Sequence, residues 1–128
     1  MQRDVEKVEE IYRAFAKRDL QTMTMLMSND VEIQQSPELP WGGSYRGHEG
    51  VKRLLARLGE HLEHRLTIEG FIDAGEQVVV SGRISGKTRS TGLEFDIPFV
   101  HVWTVREGLI ARFEPYIANP TMLAALGL

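Results

Sequence analysis

From residue 66 to residue 117 the sequence reads as one strand after another, and this run constrains the fold more than any other feature. Leu66-Thr67-Ile68-Glu69 leads to Phe71-Ile72, and Asp73-Ala74-Gly75-Glu76 forms a turn. Residues 78–85 make the next strand, 87–90 prolong it, and Thr91-Gly92 turns the chain again. Residues 93–105 return, carrying Pro98, which predicts a bend or bulge. Glu107-Gly108 is the turn of a tight hairpin into residues 109–117. Strands joined this closely pair antiparallel.

The first half of the chain has a different period. Val5, Val8, Ile11, Tyr12 and Phe15 recur at helical spacing behind Asp4, a plausible N-cap. Asp19 caps a second helix with Leu20, Met23, Leu26 and Met27, and Ser28-Asn29-Asp30 stops it. Residues 31–35 read as a short strand, and 36–47, with two prolines and three glycines, as a loop. That loop carries Trp41 and Tyr45, large aromatics that must cover or bind something. A third helix spans about 48–62, with Val51, Leu54, Leu55, Leu58 and Leu62 in one stripe. Asn119-Pro120, an N-cap and a first-position proline, opens a short last helix over 121–126. Helices first and antiparallel strands after define an α+β fold.

Composition narrows the function classes. At 128 residues the chain is one domain, 1–128, with 42% hydrophobic and 26% charged residues, a globular balance. A net charge of −3 with scattered cations argues against nucleic acid. The absence of cysteine excludes disulfide scaffolds, cysteine-ligated zinc and thiol nucleophiles. The start, MQRDVEKVEE, reads as neither signal peptide nor membrane span, so no membrane association and a cytoplasmic location are expected. His61 and His64 have a spacing that can bind metal, but no third ligand is in sight, and solvated surface is the expectation for both. No metal or cofactor is called for.

Four segments carry a resemblance: AKRDLQTMTMLMSNDVEI, PWGGSYRGHEGVKRLL, DAGEQVVVSGRISG and TGLEFDIPFVHVWTVREGLIARFEPY. In this order, over nearly the whole chain, the sequence resembles the nuclear-transport-factor-like superfamily and, within it, the SnoaL-like (ketosteroid-isomerase-like) proteins. The resemblance implies a cone: a curved mixed sheet wrapped around three N-terminal helices, with a short C-terminal helix and an apolar pocket. It also implies a homodimer through the outer sheet face. It does not fix an activity, because this superfamily hosts isomerases, hydrolases, cyclases and binders.

Mapped residue by residue, the catalytic groups of the enzymatic relatives are replaced. The general-base position of ketosteroid isomerases falls on Gln35, which takes no proton at neutral pH. Their oxyanion-binding tyrosine and aspartic acid fall on Ile11 and Val100, with Tyr12 one residue and about 100° out of place. The Arg-x-Asp pair of limonene-epoxide hydrolases falls on Arg83-Ile84-Ser85, and the later acid shared with the cyclases falls on Ala118. Asn119 is one residue beyond, which would turn it to the other face.

His101 remains as the titratable candidate. It shares a strand face with Trp103. Counting back from a two-residue Glu107-Gly108 turn pairs Trp103 with Arg112 and His101 with Glu114, and groups Glu114, Tyr116 and Ala118 on that face. The Ala118 correspondence turns His101 toward the pocket. The Val100 correspondence, or a bulge at Pro115, turns it outward. The inward parity is adopted, since Trp103 and Tyr116 would then form an aromatic wall. The expected site is His101 with Glu114 as acid–base pair, and Gln35, Trp41, Tyr45, Arg83, Trp103 and Tyr116 as ligand-binding residues. For Arg83, an ion pair with Asp96 or Glu114 is the structural alternative.

The expected function is a small-molecule-binding SnoaL-like protein with an apolar pocket. One alternative is an isomerase, hydrolase or cyclase acting on an apolar oxygenated molecule through His101. Another is a non-catalytic dimeric interaction module, whose cavity would be collapsed around Phe15, Met23 and Leu55.

Overall fold

The computed structural model describes residues 2–128. Three helices, α1 (Gln2–Ala16), α2 (Leu20–Met25) and α3 (Gly47–His61), pack on a sheet of six strands. The strands are β1 (Met27–Gln35), β2 (Gly43–Arg46), β3 (Leu62–Ala74), β4 (Gln77–Thr88), β5 (Glu94–Arg106) and β6 (Leu109–Ile117). A short helix, α4 (Asn119–Ala125), follows. The sheet order is β2-β1-β6-β5-β4-β3. β1 runs parallel to β6 and every other pair is antiparallel, so the sheet is mixed. The fold is the α+β architecture expected, with a curved sheet around the helices.

Alternation dictates which face of the sheet meets them. Along β5, Phe95, Ile97, Phe99, His101 and Trp103 are buried, and Glu94, Asp96, Pro98 and Val100 are exposed. Along β4, Val78, Val80, Gly82 and Ile84 point inward. Against this face α1 lays Val8 and Ile11, and α3 lays Val51 and Leu54, all nearly without solvent contact.

Several boundaries differ from the sequence expectation, each for a local reason. Asp4 lies inside the first turn of α1, where its charge complements the helix dipole. Asp19 does cap α2, accepting from Thr22 N at 3.1 Å. Ser28-Asn29-Asp30 does not end in a turn; it belongs to β1, where the β1–β6 register slips between Met27 and Glu32. Part of the expected loop, Gly43–Arg46, is strand β2 paired to the end of β1. Asn119 is the first residue of α4, with Ala118 at the N-cap position. Pro98 sits within β5 just past the end of the β5–β6 ladder, which begins at Phe99, so its missing N–H falls where β6 is no longer a neighbour.

The β5–β6 hairpin fixes the site. Glu107 and Gly108 both have positive φ, 53° and 79°, as a two-residue turn of this type requires, and Arg106 pairs with Leu109. A bulge then intervenes. Val105 pairs with Ile110 but Thr104 pairs with Arg112, leaving Ala111 as the extra residue. Beyond it the register is Trp103 with Phe113 and His101 with Pro115. The expected pairings of Trp103 with Arg112 and of His101 with Glu114 are therefore displaced by one residue. The irregularity lies at Ala111 and not at Pro115.

Candidate functional site

Between the helices and the inner sheet face lies a cavity of about 160 Å³. Phe15 and Ile11 of α1, Leu55 of α3, Trp41 of the loop after β1, and Trp103 and Phe113 of the hairpin form much of its wall. Phe15, Met23 and Leu55 surround open space, contrary to the collapse that a pure interaction module would show. Among the described residues that line it, none is Asp, Glu, Lys or Arg.

At the hairpin wall three side chains form a chain of hydrogen bonds. Trp103 Nε1–H donates to Tyr12 Oη at 2.9 Å, and Tyr12 Oη lies 2.6 Å from His101 Nδ1. The His101 ring stacks on Phe99 with centroids 4.0 Å apart and meets the edge of Phe113 at 4.9 Å. Gly82 makes the Phe99 position possible: a Cβ there would lie 2.8 Å from the Phe99 ring and 2.2 Å from Thr67 O. Burial among these rings disfavours the imidazolium, so the histidine is pushed down to about 3 and is neutral near pH 7. Burial likewise raises the Tyr12 hydroxyl, against the lowering effect of the Trp103 hydrogen bond.

Two polar groups of the wall are left over. Gln35 ends β1, is 9% exposed, and its amide bonds no described residue. His101 Nε2 has no partner among the described residues either. Ser28 Oγ is the single sealed polar side-chain atom left unpaired among them. The amide of Gln35 and Nε2 of His101 are thus open to the cavity they line.

The loop above is tied down from both sides. Tyr45 is buried and does not line the cavity; its hydroxyl donates to Trp41 O at 2.7 Å and accepts from Arg57 Nη1 at 3.0 Å. Tyr45 therefore braces Trp41, which does line the cavity. Asn119 Nδ2 donates to Ser36 Oγ and to Glu38 Oε1, both at 2.8 Å, and joins α4 to the same loop. His64 lies on the inner face of β3 in the cavity wall, beside the Phe15 ring, rather than on the solvated surface expected for it. Its basicity is lowered by burial and then by the nearby Arg18 charge. No cluster of three metal-binding side chains occurs among the described residues.

Other expected site residues stand elsewhere. Arg83 is on the outer sheet face, where Nε donates to Asp96 Oδ1 at 2.7 Å; it does not reach the cavity. Glu114 is outward too, accepting from Tyr116 Oη at 2.9 Å and pairing with Arg112 at 3.2 Å. It cannot orient His101, because Pro115 is the residue across the ladder from that histidine. Tyr116 borders the cavity, yet it is 55% exposed and its hydroxyl turns to Glu114. Phe113, and not Tyr116, stands beside Trp103 in the aromatic wall. Ser85 borders a second, open cleft of about 900 Å³ that carries charges of both signs, including Arg65, Lys87, Glu63 and Glu94. Val100 is exposed, so the isomerase correspondence at that position does not mark the pocket face.

Sequence reasoning missed Tyr12 and Asn119. Tyr12 belongs to the apolar stripe of α1, and its 100° offset from Ile11 still leaves both residues on the cavity. Asn119 opens α4 directly after β6 and reaches the cavity rim from there, a placement that strand alternation does not predict.

A cone of six strands enclosing such a cavity defines the NTF2-like class of fold. The chain matches the SnoaL-like domain family over residues 8–113, and it belongs to that family. An NTF2-like protein of unknown function from Burkholderia pseudomallei is similar at 29% identity, with 100% of each chain covered and a TM-score of 0.92. TerC, co-crystallized with polyporic acid, is 30% identical over 98% of this chain and 99% of its own, with a TM-score of 0.88. A putative polyketide cyclase from Xanthomonas campestris shares the fold at 22% identity, over 98% of this chain and 97% of its own, with a TM-score of 0.80. No curated protein matches the chain. No described helix is long and apolar enough to cross a membrane.

Proposed function

We propose that this protein binds a neutral, largely apolar small molecule of about one ring, held through an oxygen by His101 and Gln35. The observation that carries this is the pair of buried polar side chains, 7% and 9% exposed, with free hydrogen-bonding groups in an uncharged cavity. Both groups open to the cavity and are free to hydrogen-bond a ligand oxygen, each such bond contributing about 0.5–1.5 kcal/mol net. The volume of about 160 Å³ suits one ring: an apolar engineered cavity of ~150 Å³ takes up benzene. A charged ligand would shed its hydration with no counter-charge in the wall. That TerC, at 30% identity, is co-crystallized with polyporic acid supports small-molecule binding here.

A catalytic form of the site is narrow. With its pKa near 3, His101 is a poor proton acceptor at neutral pH, and Glu114 is turned away from it. What the site offers chemistry is a neutral imidazole donor that would polarise a carbonyl.

A homodimer through the outer sheet face remains part of this proposal. Val100 and Tyr116, exposed side by side in register with each other on that face, support it.

The ligand reading is tested by NMR titration with cyclohexanone and with cyclohexanecarboxylate. Saturable binding of the ketone, with shifts confined to cavity residues such as Trp103 and Leu55, is expected, together with weaker binding of the anion. Tighter binding of the carboxylate, or shifts mapping to the cleft beside Arg65 and Lys87, would refute it.

A further inference from the structure

Resting on the cavity reading above, we propose that the chain of donors Trp103→Tyr12→His101 is directional and makes the cavity selective for a ligand that accepts a hydrogen bond, a carbonyl-type oxygen, with Trp103 and Tyr12 as positioning residues.

The direction follows from proton inventory. The indole Nε1–H can only donate, so at 2.9 Å it fixes Tyr12 Oη as its acceptor. The phenol then has one proton left to place. The acceptor in reach of it is His101 Nδ1, at 2.6 Å, a normal O–H···N length at its short end. Were Nδ1 instead to carry the proton, it would share Tyr12 Oη with the indole, and the phenolic hydrogen would be left without an acceptor among the described residues. The first arrangement leaves a single donor without a protein acceptor, Nε2–H, and that atom opens to the cavity; the second leaves the phenolic O–H of Tyr12, whose oxygen already accepts two hydrogen bonds, with nothing to donate to. A neutral imidazole that accepts at Nδ1 carries its proton at Nε2. Nε2 is the atom open to the cavity, so what the ligand meets is an N–H donor.

The ring packing holds that donor in place. Phe99 stacks on one face of the imidazole and Phe113 closes an edge, so the ring cannot flip to exchange its two nitrogens without displacing them. The selectivity is thus set by two residues that need not touch the ligand oxygen. Gln35, whose amide both donates and accepts, does not impose this preference by itself.

The test has two arms. In the first, the ring nitrogens of His101 are read by two-bond 1H–15N correlation in the ligand-free protein. Protonated Nε2 and unprotonated Nδ1, unchanged from pH 5 to pH 8, are expected. A protonated Nδ1, or an even tautomer mixture, would overturn the directional chain whether or not any ligand binds. In the second arm, cyclohexanone is compared with its isostere methylenecyclohexane in wild type, Tyr12→Phe and Trp103→Phe. Losing one neutral hydrogen bond corresponds to about a fivefold fall in the ketone-to-hydrocarbon affinity ratio in each variant. An unchanged ratio in a folded Tyr12→Phe would overturn the positioning role. If neither compound binds wild type, the cavity reading and this selectivity fail together, while the ring nitrogens still decide the direction of the chain.

Discussion

Tyr12 Oη lies 2.6 Å from His101 Nδ1 and ties the first helix of the chain to its fifth strand. The histidine at the end of this contact is held neutral by burial, with its pKa pushed down to about 3 from an ordinary value near 6.5.

A pH dependence follows. The unfolded chain binds a proton at His101 below about pH 6.5 and the folded chain does not until about pH 3. His101 therefore contributes stability that is fully present above pH 6.5 and is lost as pH falls toward 3. Between pH 6.5 and pH 5 the loss is on the order of 2 kcal/mol. His64, also lowered by burial, acts with the same sign. Denaturant melts across this window check the prediction. His101→Gln should flatten the slope, and a wild-type stability that rises toward pH 5 would exclude it.

Gln35→Leu separates stability from binding. The amide opens to the cavity and bonds no described residue, so its removal should change the stability of the fold by no more than about 1 kcal/mol. The same change should weaken binding of a ring ketone roughly fivefold. Urea melts and a calorimetric titration read the two effects. A variant that is less stable and binds equally well would show that Gln35 serves the fold and not the ligand.

Gly82→Ala should damage both. The new Cβ would lie 2.2 Å from Thr67 O, which is backbone and cannot swing aside, and 2.8 Å from the ring of Phe99. Overpacking of this kind costs roughly 3 kcal/mol. Because Phe99 stacks on His101, the histidine ring resonances should move as well. A variant as stable as wild type would mean that β3 and β4 have more slack than their spacing shows.

Arg83→Ala and Glu114→Gln are expected to leave ligand affinity unchanged. Both side chains belong to ion pairs on the outer face, Arg83 with Asp96 and Glu114 with Arg112. Exposed pairs of this kind contribute about 0–1 kcal/mol. A tenfold loss of affinity in either variant would place an outer-face group in the binding event and contradict the site described.

The fold was legible because its signals are periodic and redundant. The stripe of Val8, Ile11 and Phe15, the Asp19 cap and the Glu107-Gly108 turn each survive small errors of placement. The site was less legible because it depends on parity, which one residue reverses. Val100 and Val102 are as apolar as the inward residues beside them, so alternation fades at the point where His101 must be assigned a face. The inward direction expected for His101 coincides with the structure, but the partners expected to accompany it, Glu114 and Tyr116, face out. The bulge at Ala111 is the reason, and nothing in Ile110-Ala111-Arg112 announces it. Tyr12 is offset by one residue from the tyrosine position of the ketosteroid isomerases, although its own stripe already places it on the buried side of α1.

The central claim is that His101 presents Nε2–H to a neutral ring-sized ligand. It is tested most directly by following the His101 ring resonances while cyclohexanone is added. The account predicts a protonated Nε2 whose resonance shifts saturably, one ligand per chain, with Nδ1 unprotonated throughout. Saturable binding that leaves the Nε2–H resonance unmoved would contradict it.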